Sequence, residues 1–404
     1  MPKVLWVSPY SLHDVSSSAA IQCRCMLESL QSRGYDIWAL SSFVFNRAYG
    51  SMPSFGSLNE LYAQNPQMTL LELDDRNIHY IYLKNRSILE PERTMREQED
   101  YYLRFLEALK VFKPDLIMGY GTGIDSRICF AEAQRQGIPT VYVLLNAHHA
   151  NFTFPHANLV ITDSHFTSDV YAQRDHINCL PLGEFINPKQ VVAKERNPLF
   201  VTLINADFPK GLSIFAKLAE RCQQELPNLK FLVINADEKF AQNLTKLHKK
   251  DEPHTHPYTA VNFPNILTTK VTHDIRLIYA QTKVALQLNL TSESWGRVAS
   301  EALLNNIPVL GSALGGVPEA VGAGGIVLTP PEHCLRDHAS LPTDEEIQPW
   351  VEALKRLLNE DWQDKIKEAV KAIELENQIS RLQAMLEPLM HSRGISYAHR
   401  HPYS

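Results

Sequence analysis

Ala285-Leu286-Gln287-Leu288, Ser294-Trp295-Gly296-Arg297-Val298-Ala299-Ser300-Glu301-Ala302-Leu303-Leu304-Asn305 and Pro308-Val309-Leu310-Gly311 follow one another along the chain. The first and third stretches are short apolar runs, the pattern of buried strands. The middle stretch sets Val298, Ala302 and Leu303 on one side and Glu301 on the other, which is an amphipathic helix. Strand, helix, strand in this order is a βαβ unit with parallel strands.

Working outward, the alternation continues in both directions. Upstream lie Phe200–Ile204 (strand), 211–224 (helix), Lys230–Ile234 (strand) and 274–281 (helix). A similar series occupies the N-terminal half. Val4–Val7, Ala20–Arg33 and Asp36–Leu40 form a first unit. Then come the strand 115–119, the helix 127–136, the strand 140–145, the strand 159–162 and the helix 166–173. Such alternation predicts parallel sheets covered on both faces by helices. A polar, Pro-bearing stretch around 181–198 reads as a linker between the two halves, which leave a cleft between them. The text after Pro342 is helical from Asp344 to about Met390. The expected domains are therefore 1–190, 191–375 and a C-terminal helix and tail at 376–404, with the chain end free to cross back to the first domain. The tail from His391 onward reads as a loosely held terminus. An irregular excursion at 43–68 carries Phe43, Phe45, Tyr49 and Phe55 and is expected at the ligand-binding end of the first sheet.

The 404 residues hold 39 Lys+Arg against 45 Asp+Glu, a formal charge of −6, with 44% hydrophobic residues. That is ample material for full cores and argues against disorder. The mild acidic excess gives no basic field for a polyphosphate backbone, so no nucleic-acid partner is expected. Six scattered cysteines read as free thiols of a reducing cytoplasm. No apolar run is long enough to span a bilayer. The expected location is cytoplasmic, with peripheral contact at the inner face of the membrane left open.

The helix starting near Ser294 offers unbonded first-turn amides around Trp295, Gly296 and Arg297 and the positive end of its dipole, an anion site. Gly296 lets an anion close to the backbone. Glu293 stands at the mouth of this helix and Glu301 roughly 12 Å further along its axis, so the two carboxylates could bracket an extended ligand with an anionic middle. A helix cap and a solvated surface acid are the plainer roles for the same two residues. The turn Gly315-Gly316-Val317-Pro318-Glu319 brings flexible backbone to the same end of the sheet.

Glu293 and Glu301, followed by Ala302-Leu303, Pro308-Val309 and the Gly315-Gly316-Val317-Pro318-Glu319 turn, resemble the donor-site signature of the retaining family 4 glycosyltransferases. The Ala157–Ser164 stretch and Pro209-Lys210-Gly211-Leu212 are similar to further family segments, more diffusely in the N-terminal half. The resemblance implies an α/β GT-B fold, two Rossmann-like domains facing a central cleft with C-terminal helices. It implies a nucleoside-diphosphate sugar as donor and a glycan, lipid-linked or other hydroxyl compound as acceptor. By this resemblance Glu293 touches the transferred sugar, Glu301 holds the ribose, and the backbone groups of Trp295, Gly296, Arg297 and Val298 line the diphosphate, with Gly315 and Gly316 nearby. Lys210 would neutralise the departing diphosphate.

Three places depart from the family pattern. Asn205 stands where an Arg is usual, so one cation is missing or comes from elsewhere, Arg297 being a candidate. Ser17 and Ser18 stand near the usual Gly-Gly turn, as donor contacts or as a simple helix cap. The usual histidine after the 140–145 strand is displaced, and Asn146, His148 or His149 would take its place. Asp74-Asp75 reads as solvated acids in a turn. No metal or other cofactor is expected, since family members generally let helix dipole and basic groups take the leaving-group charge. A catalytically silent GT-B binding or regulatory protein and a sugar-nucleotide epimerase are the competing readings. The oligomeric state, the base, the sugar and the acceptor are not encoded legibly.

Overall fold

A computed structural model describes residues 1–45, 50–149, 156–234, 238–269, 272 and 274–391. Tyr49 and the tail from 392 lie outside them. The described residues form two units: 1–163, 168–185 and 376 onward make up unit 1, and 164–167 with 186–375 make up unit 2.

In unit 1, Val4, Leu5, Trp6 and Val7 are fully buried, because their strand β1 (Lys3–Val7) is flanked on both sides. Around it run β2 (Asp36–Ser42), β3 (Leu70–Asp75), β4 (Ile78–Leu83), β5 (Leu116–Gly119), β6 (Thr140–Leu144), β7 (Leu159–Thr162) and β8 (Leu180–Pro181), in the order β3-β4-β2-β1-β5-β6-β7-β8. All neighbours pair parallel except β3 and β4. That hairpin turns through Arg76 and Asn77, both at positive φ (50° and 60°), as a two-residue turn between twisted strands requires. The hairpin was not legible, and it corrects the reading of Asp74 and Asp75. Both close a strand, where Asp74 faces His79 at 2.9 Å and Asp75 faces His13 at 3.3 Å.

The excursion after β2 also differs from expectation. Phe43 and Phe45 are buried, and Phe43 stacks on Tyr82 with ring centres 5.2 Å apart. These rings complete the core rather than offer a docking face. Beyond them come a short turn at Pro53–Phe55 and the helix Leu58–Gln64.

His13, 4% exposed, ties the loop after β1 to this hairpin. Its Nδ1 lies 2.5 Å from the Tyr82 hydroxyl, with Tyr80 and Phe55 edge-on to the ring. Burial, and then the Arg24 charge, pull its pKa down from 6.5 to about 4 against the opposing pull of Asp75. The folded state thus resists protonation while the unfolded chain accepts it, so stability from this group is complete above about pH 6.5 and falls away towards pH 4. The full swing is about 3 kcal/mol. Denaturant midpoints at pH 7 and pH 4.5 should differ by less in His13→Gln than in the wild type; equal differences would rule His13 out as the cause.

Unit 2 holds β9 (Phe200–Ile204), β10 (Lys230–Ile234), β12 (Ile266–Thr269), β13 (Thr282–Gln287), β14 (Val309–Ser312) and β15 (Gly325–Leu328) in the parallel order β12-β10-β9-β13-β14-β15. The short pair β11 (His248–Lys249) and β16 (Ser340–Leu341) stands apart. The helices Leu212–Glu225 and Asp344–Asn359 supply Leu212, Phe215, Leu218, Trp350 and Leu354 to its core. The change of unit falls at 185/186, shortly before the expected 190/191. The reason is Asn305, whose side chain receives the Ala193 N–H (2.8 Å) and donates to the Val191 carbonyl (3.0 Å), stitching the connecting segment to unit 2.

The last helix, Leu375–His391, lies on unit 1. Arg33 pairs with Glu376 and donates to Gln383 at 3.0 Å, and Arg381 donates to the Pro181 carbonyl at 2.8 Å. Gln378 closes over Gly183 so tightly that a Cβ there would fall 2.3 Å from its amide nitrogen.

Candidate active site

In an open α/β sheet, ligands bind outside the carboxyl ends of the strands where the strand order reverses. In unit 2 that point lies between β9 and β13. The loop after β9 runs from Asn205 to Gly211, and the segment after β13 leads to Glu293. The two are clamped together. Leu290 N–H donates to the Pro209 carbonyl at 2.9 Å, and a Cβ on Gly211 (φ +83°) would fall 1.9 Å from the Leu288 carbonyl oxygen. Only glycine fits there. This clamp brings Lys210 opposite Glu293, and the two form an ion pair.

The other oxygen of Glu293 accepts from Gln287 Nε2 at 3.1 Å. The same nitrogen donates to Asn289 Oδ1 at 2.6 Å, and both amide residues are buried. Gln287 and Asn289 went unread in the sequence, where they pass as the polar end of an apolar run. Their signal was there: a side-chain amide at the end of a central strand has no core partner and must find a polar one.

Gly315 and Gly316 pack directly on the backbone of Glu293 and Ser294. A Cβ on either would fall 2.3 Å from the Glu293 oxygen or 2.1 Å from the Ser294 oxygen, and Gly316 N–H donates to the Glu293 carbonyl at 2.8 Å. The turn thus fixes the carboxylate from behind.

The helix begins at Arg297, three residues after the expected Ser294, with Gly296 as its cap. Its first-turn amides therefore belong to Arg297, Val298 and Ala299. The Trp295 side chain packs in the core, 9% exposed, with its Nε1 donating to Ser300 at 2.8 Å, and its backbone precedes the cap of the helix. Gly296 faces Ala320, whose Cβ would lie 3.1 Å from an added Cβ, so close packing alone already favours glycine there.

Glu301 is nearly buried, and both its oxygens are engaged, one by Arg297 Nε at 2.7 Å and the other by the Tyr279 hydroxyl at 2.9 Å. Tyr279 was not singled out in the sequence. Asn205 is exposed, with φ +61°, a conformation asparagine tolerates better than arginine would. The site thus holds two carboxylates, each matched by one cation.

The remaining candidates lie in unit 1. Ser17 caps the helix Ser18–Ser32, its Oγ accepting the Ala20 N–H at 3.3 Å, while Ser18 is exposed. The Asn146 side chain accepts the His148 N–H at 2.6 Å, and its carbonyl accepts the Tyr171 hydroxyl at 2.6 Å. His149 is half-buried. Burial first, then Arg174 and His148, lower its pKa, which favours the neutral ring near pH 7. Among the described residues no cluster of three or more His, Cys, Asp or Glu could hold a metal ion, and no helix is long and apolar enough to cross a membrane.

Residues 184–381 match the family model of glycosyl transferases group 1. The match spans almost all of unit 2 and makes the chain an enzyme, a glycosyltransferase. Its fold is GT-B, as in three solved structures that it resembles along nearly its whole length. A glycosyltransferase from Rickettsia africae is 11% identical, with a TM-score of 0.67 over 97% of this chain and 99% of that one. A sucrose-phosphate synthase from Thermosynechococcus elongatus is 13% identical, with a TM-score of 0.63 over 97% and 100%. The Anabaena protein HepE, solved with UDP and glucose, is 16% identical, with a TM-score of 0.63 over 96% and 100%. No curated protein matches this glycosyltransferase by sequence.

Proposed function

We propose that this glycosyltransferase takes a sugar from a nucleoside-diphosphate donor and passes it, with retention, to a hydroxyl of a glycan or lipid-linked acceptor. The observation that carries the reading is the Lys210–Glu293 pair at the strand-order reversal of unit 2, held beside a helix N-terminus by the Gly315-Gly316 turn. In this reading Glu293 positions the sugar, Lys210 and the first-turn amides stabilise the diphosphate, and Glu301 receives the ribose hydroxyls. The bond from the anomeric carbon to the phosphate oxygen breaks, a bond to the acceptor oxygen forms on the same face, and the acceptor's proton goes to the leaving phosphate. HepE was solved with UDP and glucose, which supports trying uridine donors first. Unit 2 is the donor domain in this proposal, unit 1 the acceptor domain, and no metal takes part.

A silent binding protein is the second reading, favoured by Asn205 in the place of a cation and by Glu301 with both oxygens engaged. A nucleotide-sugar screen separates the two. A true donor at about a hundred times its Kd stabilises the fold by about 2.7 kcal/mol, a clear rise in Tm, and is consumed once an acceptor is added. Neither effect with any donor would overturn the transferase reading and favour the silent one.

A further inference from the structure

Unit 1 has its own reversal of strand order, between β1 and β5. Open sheets bind ligands at this point too. Tyr10 follows β1, and Tyr120-Gly121-Thr122-Gly123 follows β5 and leads into the helix Ile124–Arg135. The Tyr10 and Tyr120 rings stack with centres 5.3 Å apart and planes within 7°, so the part-exposed Tyr10 is backed by a second ring. Beneath them Trp6 Nε1 and Ser126 Oγ are buried with no hydrogen-bond partner among the described residues. Ser126 is 1% exposed, and its hydroxyl lies 2.5 Å from where a Cβ on Gly121 would stand, facing the loop.

Two carboxylates converge on the same spot. A Cβ on Gly123 would fall 2.7 Å from Glu90 Oε1 and 2.8 Å from Asp125 Oδ1. The absence of a side chain lets both carboxylates close on the backbone of Gly123. Asp125 is fully committed, one oxygen to Arg93 in an ion pair with no exposure on either side chain, the other to the Ser126 N–H at 2.9 Å. Glu90 is half-buried, and that burial raises its carboxyl pKa, with Asp125 adding to the effect and Arg93 opposing it.

This set of groups selects its ligand. An anion would be repelled by Glu90, and a metal ion would find Asp125 already bound. A flat aromatic face beside a carboxylate and helix amides suits a neutral ring with one apolar face and a rim of hydroxyls. We propose that this crevice binds a sugar ring of a neutral glycan acceptor, stacked on Tyr10 with its hydroxyls on Glu90 and the amides at the start of the Ile124–Arg135 helix. The proposal rests on the acceptor role given to unit 1 above.

The test uses the full chain on an array of neutral oligosaccharides of glucose, galactose, mannose and N-acetylhexosamine, with UDP binding measured by calorimetry in parallel. The wild type should retain a subset of the array, and Tyr10→Ala and Glu90→Gln should each weaken that binding by about tenfold or more with Tm and UDP affinity unchanged. Retention that is equal in both variants, or no retention by a wild type that binds UDP, overturns the acceptor site while leaving the donor reading intact. Loss of UDP binding in the wild type strikes the donor reading alone.

Discussion

Lys210→Ala is expected to fold normally and to lose transfer rate by about 10²–10³-fold, the usual loss when one fixed donor to a developing anion is removed. The fold should survive because Lys210 and Glu293 are both part-exposed, at 34% and 26%, where an ion pair contributes less than about 1 kcal/mol. The rate should not, because the ammonium is fixed by the loop clamp before charge develops on the diphosphate. Removing it leaves Glu293 beside an anion with no screening cation. Lys210→Ala combined with Glu293→Gln separates the two effects. If Lys210 acts mainly by neutralising Glu293, the double variant recovers donor binding; if it acts on the leaving group, the rate stays low. Initial rates with the donor found by the screen decide, and a rate equal to wild type would remove Lys210 from the chemistry.

Arg93→Met should destabilise unit 1 by about 3–5 kcal/mol, since it strands the Asp125 carboxylate in a place with no access to water. Asp125→Asn on top of it should recover most of the loss, because a neutral amide tolerates burial where a carboxylate does not. Denaturant unfolding followed through the unit 1 tryptophans, Trp6 and Trp38, measures both. An Arg93→Met chain as stable as wild type would show that water reaches the pair.

The α/β alternation was legible because β1, β5, β6, β9, β13 and β14 are short apolar runs between helices, and two-sided burial demands them. The β3–β4 hairpin was not, since Leu70–Asp75 is a half-exposed edge strand whose composition resembles a loop. Glu293, Lys210 and the glycine pair were singled out through the family resemblance, since local spacing alone leaves a helix cap, a surface lysine and a tight turn as their plainer roles. Tyr279 left none, as its role depends on which elements lie side by side, and Gln287 and Asn289 left only the faint mark of polar amides at the end of an apolar run. The start of the Arg297–Leu304 helix was misplaced because Trp295 has helical spacing but is drawn into the core by Ser300. The burial of Phe43 and Phe45 was not legible either, since exposure cannot be read from an irregular stretch.

The return of the Leu375–His391 helix to unit 1 bears on how the chain matures. Arg33 meets Glu376 and Gln383 across nearly the whole sequence, so those contacts are highly non-local and close late. On the ribosome, unit 2 can complete its own sheet while Gly183, Pro181 and Arg33 still wait for their cover. Unit 1 is therefore begun before unit 2 and finished after it, and the Leu375–His391 helix acts as its seal.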